Sequence, residues 1–193
     1  MNVLITSTAD AFGQKLEEIF IREGYAVFTP ENCPLSEPLD YLLDVTDYAT
    51  PADNFTITMG INATVMEAVY RQNVIAPMAT LEKFLPQLDQ GQGKRLFYIT
   101  SAKASINESQ DITGYAYNMS KAGLHQFLQL VSNKLSEKGY TFRVFDPLDK
   151  SQAAAEAAYH YITRRRGTEN FDIRRDDENN LIIRDAQGRQ HGW

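Results

Sequence analysis

The sequence predicts an α/β chain: a single domain over residues 1–193, built on a doubly wound, mostly parallel sheet with helices on both faces. Short apolar runs rich in β-branched and aromatic residues (Val3–Ile5, Tyr25–Phe28, Tyr41–Val45, Leu96–Ile99, Thr141–Phe145) alternate with longer stretches of helical apolar spacing. The first three segments read strand, helix, strand, a βαβ unit that implies parallel pairing. With 193 residues, 43% of them hydrophobic and 23% charged, the chain is long enough to bury one core without staples.

Taken in order, Val3–Ile5 opens the sheet, and Gln14 to Glu23 follows as a helix with Leu16, Ile19 and Phe20 on one face. Gly24 ends that helix and Tyr25–Phe28 restarts extended structure. Pro30, Pro34 and Pro38 argue against a regular crossover helix before Tyr41–Val45, so this link is short and irregular. Phe55–Gly60 is a candidate fourth strand. Asn62 to Leu88 reads as mostly helical, with a kink expected at Pro77. Gly91-Gln-Gly93 breaks the chain before a strand ending at Ser101, and polar residues 103–113 form a loop over its end. A long helix from Tyr115 to Glu137, closed by Gly139, precedes the strand Thr141–Phe145, and Ala153 to Arg165 is a further helix. In the tail, Phe171–Ile173 and Leu181–Ile183 read as short strands, with a β-hairpin as one arrangement and Asp185–Gly188 offering another turn.

Composition narrows the function classes. No run approaches the length of a membrane span, and the opening residues read as a strand rather than a secretory signal, so a cytoplasmic location is expected. Cys33 is the only cysteine and the three histidines lie far apart in sequence, so no intramolecular disulfide is expected and no metal site. A net charge of −6 disfavours a nucleic-acid binder. The basic cluster Arg164–Arg166 with Arg174 and Arg175 is interleaved with Glu169, Asp172 and Asp176–Glu178, the pattern of a solvated surface.

One constellation carries chemistry. Tyr117 and Lys121 are four apart on a helix, so an ammonium sits near a phenol and favours its ionised form. Such a tyrosine exchanges a proton with an alcohol oxygen near neutral pH, and Ser101, at the end of its strand, is placed to hydrogen-bond the same oxygen. A carbonyl/alcohol oxidoreductase is the expectation. Each residue also has a structural reading: Tyr117 and Lys121 as packing, Asn73 as a helix brace, Ser101 as a strand end, Asp44 and Asp47 as turn or capping residues.

In order along the chain, these motifs resemble the short-chain dehydrogenase/reductase family over about residues 1–148. Thr6-Ser-Thr-Ala-Asp-Ala-Phe-Gly13 resembles its cofactor loop, Asp44-Val-Thr-Asp47 its adenine-facing acidic segment, and Arg71-Gln-Asn73-Val-Ile-Ala-Pro77 its helix asparagine. Ile99-Thr-Ser101 and Tyr117-x-x-x-Lys121-Ala-Gly-Leu complete the tetrad. The resemblance implies a Rossmann-like fold and hydride transfer between NAD or NADP and a small carbonyl or alcohol. Tyr117 is then the acid/base, Ser101 polarises the substrate oxygen, Lys121 lowers the phenol pKa and holds the nicotinamide ribose, and Asn73 helps relay protons to solvent. It places the cofactor against Thr6, Ser7, Ala11, Phe12, Gly13, Asp44, Val45, Gly60, Lys121 and Pro147. Glu31 has two readings, one as a contact of the adenine ribose that favours NAD and one as a solvated loop carboxylate among prolines. The helices carrying Asn73 and Tyr117 are those that build homodimers and homotetramers in the family.

Departures from the pattern are specific. Of the three loop glycines only Gly13 remains, with Ser7 and Ala11 in the other places. The family's Asn-Asn-Ala-Gly aligns with Thr58–Ile61, where only Gly60 is kept, and its Pro-Gly reads Pro147-Leu148. Only Asp149–Ser151 stands where a substrate-covering segment is expected. A non-catalytic binding or assembly protein, or a dinucleotide-sensing regulator, is the alternative reading.

Overall fold

Residues 1–164 and 181–193 are described by the structure, a computed structural model. They contain one seven-stranded sheet in the order β2-β1-β3-β4-β5-β6-β7, formed by β1 (Asn2–Ile5), β2 (Ala26–Phe28), β3 (Tyr41–Asp44), β4 (Arg95–Ile99), β5 (Thr141–Asp146), β6 (Ile183–Asp185) and β7 (Gln190–His191). Neighbours are parallel from β2 through β6, and only β6–β7 is antiparallel. Successive strand residues point to opposite faces and both faces are covered, which is why the strands read as continuous apolar runs. Val3, Ile5, Leu43 and Phe97 pack with α1 (Ala11–Arg22) and α5 (Gln152–Thr163). Leu4, Leu42, Leu96 and Val144 pack with α3 (Ala76–Gln90) and α4 (Tyr115–Leu135).

Local chemistry sets the ends of the first helix. The Asp10 carboxylate caps α1 by accepting from the backbone N–H groups of Phe12 and Gly13, at 2.7 and 3.0 Å. Gly13 is needed because α1 presses on the loop after β1: a Cβ there would lie 1.9 Å from the Ser7 carbonyl oxygen. The link from β2 to β3 is irregular, as its prolines predict, and β2 remains an edge strand.

Three expectations are corrected. Residues 55–60 form no strand: Phe55 is buried and stacks on Tyr115 with ring centroids 5.9 Å apart, and the chain then turns, the Met59 N–H donating to the Thr56 carbonyl. Ile57, Met59 and Ile61 are exposed, so the apolar alternation has no sheet to join. The helix expected over residues 62–88 is α2 (Ala63–Tyr70), a π-helical turn (Arg71–Ile75) and α3, which also contains Pro86. Pro77 explains the π-turn, since it lacks the N–H that would close an α-turn on the Asn73 carbonyl. The tail hairpin is built from β6 and β7 around a turn at Gly188; Phe171–Ile173 and most of the basic cluster lie outside the described residues.

After β5, Leu148 occupies the place of the family's glycine and takes φ +61°, in the left-handed region. A side chain there costs about 1–2 kcal/mol. Leu148→Gly is therefore expected to raise stability by about 1 kcal/mol in urea denaturation, after allowing for the entropy glycine adds to the unfolded chain.

The hairpin is pinned to the loop after β4. His191 lies 3.0 Å from both Asp185 and Glu108, and Trp193 meets the edge of His125 with ring centroids 4.8 Å apart. Burial alone would lower the His191 pKa, but its bonds to the two carboxylates raise it above the ordinary value. The stabilisation is then fully present below the unfolded pKa of about 6.5 and is lost as pH rises through the higher folded value. Trp193 is the only tryptophan. Its fluorescence is expected to report undocking as pH rises from about 6.5, and His191→Gln should remove that transition.

Candidate functional site

The parallel strands β1, β3, β4 and β5 all deliver their carboxyl ends to one edge of the sheet. β2 lies on one side of β1 and β3 on the other, so the loops after β1 and β3 part at a topological switch point, where open α/β sheets bind ligands. Thr6 ties the two loops together: its hydroxyl accepts from the Val45 N–H at 3.1 Å and its own N–H donates to the Leu43 carbonyl.

Tyr117 and Lys121 meet this edge from the first two turns of α4. The Lys121 ammonium is fully buried; it donates to the carbonyls of Thr46 (2.8 Å) and Ile99 (3.2 Å) and lies 3.4 Å from Asp47 Oδ1. Burial lowers its pKa, opposed by Asp47 and Asp44. The Tyr117 hydroxyl donates to Asp47 Oδ1 at 2.7 Å. Ser101 favours ionisation of the same phenol, but burial, the Asp47 charge and hydrogen bond, and the Asp146 charge hold the phenol pKa far above its ordinary value. The expectation that Lys121 sets a low phenol pKa is thus corrected: a carboxylate stands beside both groups and keeps the tyrosine protonated.

Asn73 lies in the π-turn and is fully buried. Its amide accepts from the Tyr48 N–H and donates to the Tyr48 carbonyl and to Ser120 Oγ, each at 2.9 Å. The side chain therefore braces the loop after β3 against α4.

The cofactor residues read from the sequence divide. Thr6, Ser7 and Ala11 border the crevice after β1, Ser7 half-buried and Ala11 exposed. Gly13 is in the helix–loop contact, and the Phe12 ring is buried in the core, which leaves only its backbone at the loop. Asp44 and Val45 are corrected. Both are buried, so neither side chain can meet an adenine; Asp44 Oδ1 accepts from the Thr46 N–H, and burial raises its pKa. Gly60 is also corrected: it sits on the exposed turn before α2 with φ +93°, and the residues that directly follow the site strand β3 are Val45–Asp47. Pro147 is buried directly after β5, at the same sheet edge.

A dinucleotide would meet small residues at 7 and 11 and the close packing of Gly13 on the loop after β1. In charge it meets resistance. The N–H groups of Phe12 and Gly13, which a pyrophosphate would use, already serve Asp10. Among the described residues no group of three or more His, Cys, Asp or Glu is placed to hold a metal ion, and no helix is long and apolar enough to cross a membrane.

Two carboxylates at the site have places that the sequence reading does not give them. Asp47 reads there as part of an adenine-facing segment, whereas it follows β3, the direct neighbour of β1, and stands beside Tyr117 and Lys121. Asp53 caps α4 from a distant loop, accepting from the N–H groups of Ala116 (3.0 Å) and Tyr117 (2.8 Å) where Gly114 offers no side chain. No local signal marks such a cap.

No family model matches the chain. In sequence it is 31% identical over 101 residues to the C-signal protein of Myxococcus xanthus, covering 52% of each chain, and 32% identical over 78 residues to an uncharacterized oxidoreductase of Saccharomyces cerevisiae, covering 40% of this chain and 30% of the relative. The matches span about half of one relative and under a third of the other. In structure it resembles a carbonyl reductase of Pseudomonas aeruginosa in complex with NADP (TM-score 0.76, 16% identity) and the putative carbonyl reductase Sniffer of Caenorhabditis elegans (0.77, 14%), each likeness covering 100% of this chain and 99% of the other. Motif order, strand topology and these likenesses agree: the chain has the short-chain dehydrogenase/reductase fold.

Proposed function

We propose that the chain is an NAD(P)-dependent oxidoreductase of the short-chain type, acting on a small carbonyl or alcohol. The observation that carries this reading is the convergence of Ser101 and Tyr117 beside buried Lys121 at the switch point of the sheet. A bound nicotinamide would supply or accept the hydride. Thr6, Ser7, Ala11 and the backbone around Gly13 would hold its pyrophosphate end, and Pro147 would border the nicotinamide end. Protonated Tyr117 gives its proton to a carbonyl oxygen that Ser101 orients, so the resting site is set for reduction. Exposed Glu31, just after β2, supports NAD, because a carboxylate there repels a ribose 2′-phosphate; solved relatives of the fold carry either cofactor.

A homo-oligomer in the cytoplasm completes the reading. α2 packs on α4 so closely that a Cβ at Gly123 would lie 3.0 Å from the Tyr70 ring, and Tyr70, Ile75, Met78 and Met119 are left exposed around the two helices.

A second reading, a non-catalytic binding or assembly protein, is favoured by a specific observation. Asp10 occupies the N-terminus of α1, and the three protons of Lys121 face Thr46, Ile99 and Asp47, leaving none directed at a ribose.

Titration with NADH and NADPH, followed by nicotinamide fluorescence, separates the two readings. The enzyme reading expects saturable binding of at least one; no binding of either at about millimolar concentration, the weak end of specific affinity, overturns it. With a carbonyl panel, Tyr117→Phe should lower kcat by about 100-fold or more, and unchanged turnover refutes the acid/base role. Binding without turnover identifies the regulator. Asp10→Asn keeps a good capping side chain while removing its charge, so dinucleotide affinity should rise several-fold with little change in stability.

A further inference from the structure

Asp47 holds a position that no motif assigned to it. One oxygen, Oδ1, accepts from the Tyr117 phenol at 2.7 Å and lies 3.4 Å from the Lys121 ammonium; the other, Oδ2, is 3.9 Å from the Lys150 ammonium. The carboxylate is only partly exposed, whereas the Lys121 side chain is wholly buried and that of Lys150 reaches solvent. A line of polar atoms thus runs from the phenol, through Asp47, to water. The alternative exit is blocked at the side chain of Asn73, whose amide is committed to Tyr48 and Ser120.

We propose that Asp47 is the positioning partner of Tyr117, holding the phenol as a proton donor and passing the proton of the reaction between that phenol and solvent. The proton-passing half rests on the oxidoreductase reading above; the holding half does not. In carbonyl reduction the phenol O–H bond breaks and the substrate O–H bond forms, the hydride being supplied by the reduced nicotinamide. Asp47, protonated from solvent beside Lys150, then gives its proton to the phenolate, restoring the Tyr117 O–H and the carboxylate. In alcohol oxidation the same transfers run backward and the proton leaves by Asp47.

The titratable and polar groups around the phenol come from several elements. The loop after β3 contributes Asp47, with Asp44 at the end of β3 itself; the turn after β4 contributes Ser101, β5 contributes Asp146, the loop before α5 contributes Lys150, α4 itself contributes Lys121, and Asp53 binds the Tyr117 N–H. Asp47 is the charged group in direct contact, so removing it has the largest effect.

The test uses the protein alone. Near-ultraviolet phenolate absorbance is titrated with base for the wild type and Asp47→Asn, each against the same chain carrying Tyr117→Phe, so that the difference reports Tyr117. The Tyr117 midpoint should fall by about one pH unit or more in Asp47→Asn; an unchanged midpoint overturns the proposal. Asp47→Ser serves the same comparison should Asp47→Asn fail to fold. Where a carbonyl substrate is turned over, Asp47→Asn should lower kcat about tenfold or more and shift its pH profile, with KM little changed. An unaltered pH profile removes the proton-passing half. A shifted midpoint in a protein that binds no dinucleotide leaves the holding role intact and overturns only the oxidoreductase reading.

Discussion

Burying the Lys121 ammonium is the constraint on which the site depends. A fully buried charge costs several kcal/mol of desolvation unless its protons find acceptors, and an ammonium has three to place. Here they face the Thr46 carbonyl after β3, the Ile99 carbonyl at the end of β4, and the Asp47 carboxylate. These acceptors come from two neighbouring strands, so satisfying one lysine fixes the ends of β3 and β4 against α4. With α4 fixed, Tyr117, one turn earlier on the same face, is aimed at Asp47. Asp53 adds to this by capping the helix at Tyr117 itself. The phenol is therefore oriented by groups that its own helix does not supply.

The same dependence explains why the chain carries its acid residues where it does. Because the link between β2 and β3 has three prolines and no helix or strand, β3 pairs directly with β1 at the centre of the sheet. Its acidic segment then arrives beside Lys121, where charge pairing offsets burial, and does not reach an outer edge of the sheet. Asp44 shows the cost of going one step too far inward: it is wholly buried, its Oδ2 has no hydrogen-bond partner, and its carboxyl is pushed toward the neutral form. Asp47, three residues on, retains partial access to water and remains useful.

Most of the fold was legible in the sequence because apolar runs and helical spacing are local signals that burial reinforces. The strands at Val3, Tyr41, Leu96 and Thr141 and the helices after them follow from pattern alone. Tyr117 and Lys121 share a helix face as their spacing implies, and Ser101 follows β4 at the same edge of the sheet. What sequence could not give was set by pairing across distance. Phe55–Met59 has the composition of a strand, but Asp53 ties that segment to α4 and leaves it no partner strand. Asp44-Val-Thr-Asp47 reads the same on whichever strand carries it; only the order of strands decides whether its carboxylates face a ligand or a lysine. The helix read from Gln14 begins at Ala11 behind an Asp10 cap, and the conflict of that cap with a pyrophosphate becomes plain only when its carboxylate is seen on the Phe12 and Gly13 N–H groups.

Two polar side chains act on the phenol in opposite senses, and their balance decides how a substrate enters. Ser101 favours the ionised phenol, Asp47 the protonated one, and Asp47 dominates because it is charged and in direct contact. A hydrogen bond to a charged acceptor is worth about 1.5–3 kcal/mol, against about 0.5–1.5 for a neutral carbonyl. A substrate carbonyl cannot displace Asp47 by its own hydrogen bond alone. It needs either additional binding energy from elsewhere in the crevice or an Asp47 drawn toward Lys150, whose ammonium lies 3.9 Å away on the solvent side. Because only a short link replaces a covering segment after β5, little of that energy can come from a closed pocket. The Lys150 ammonium, on the solvent side of Asp47, is then the available lever for releasing the phenol to a substrate.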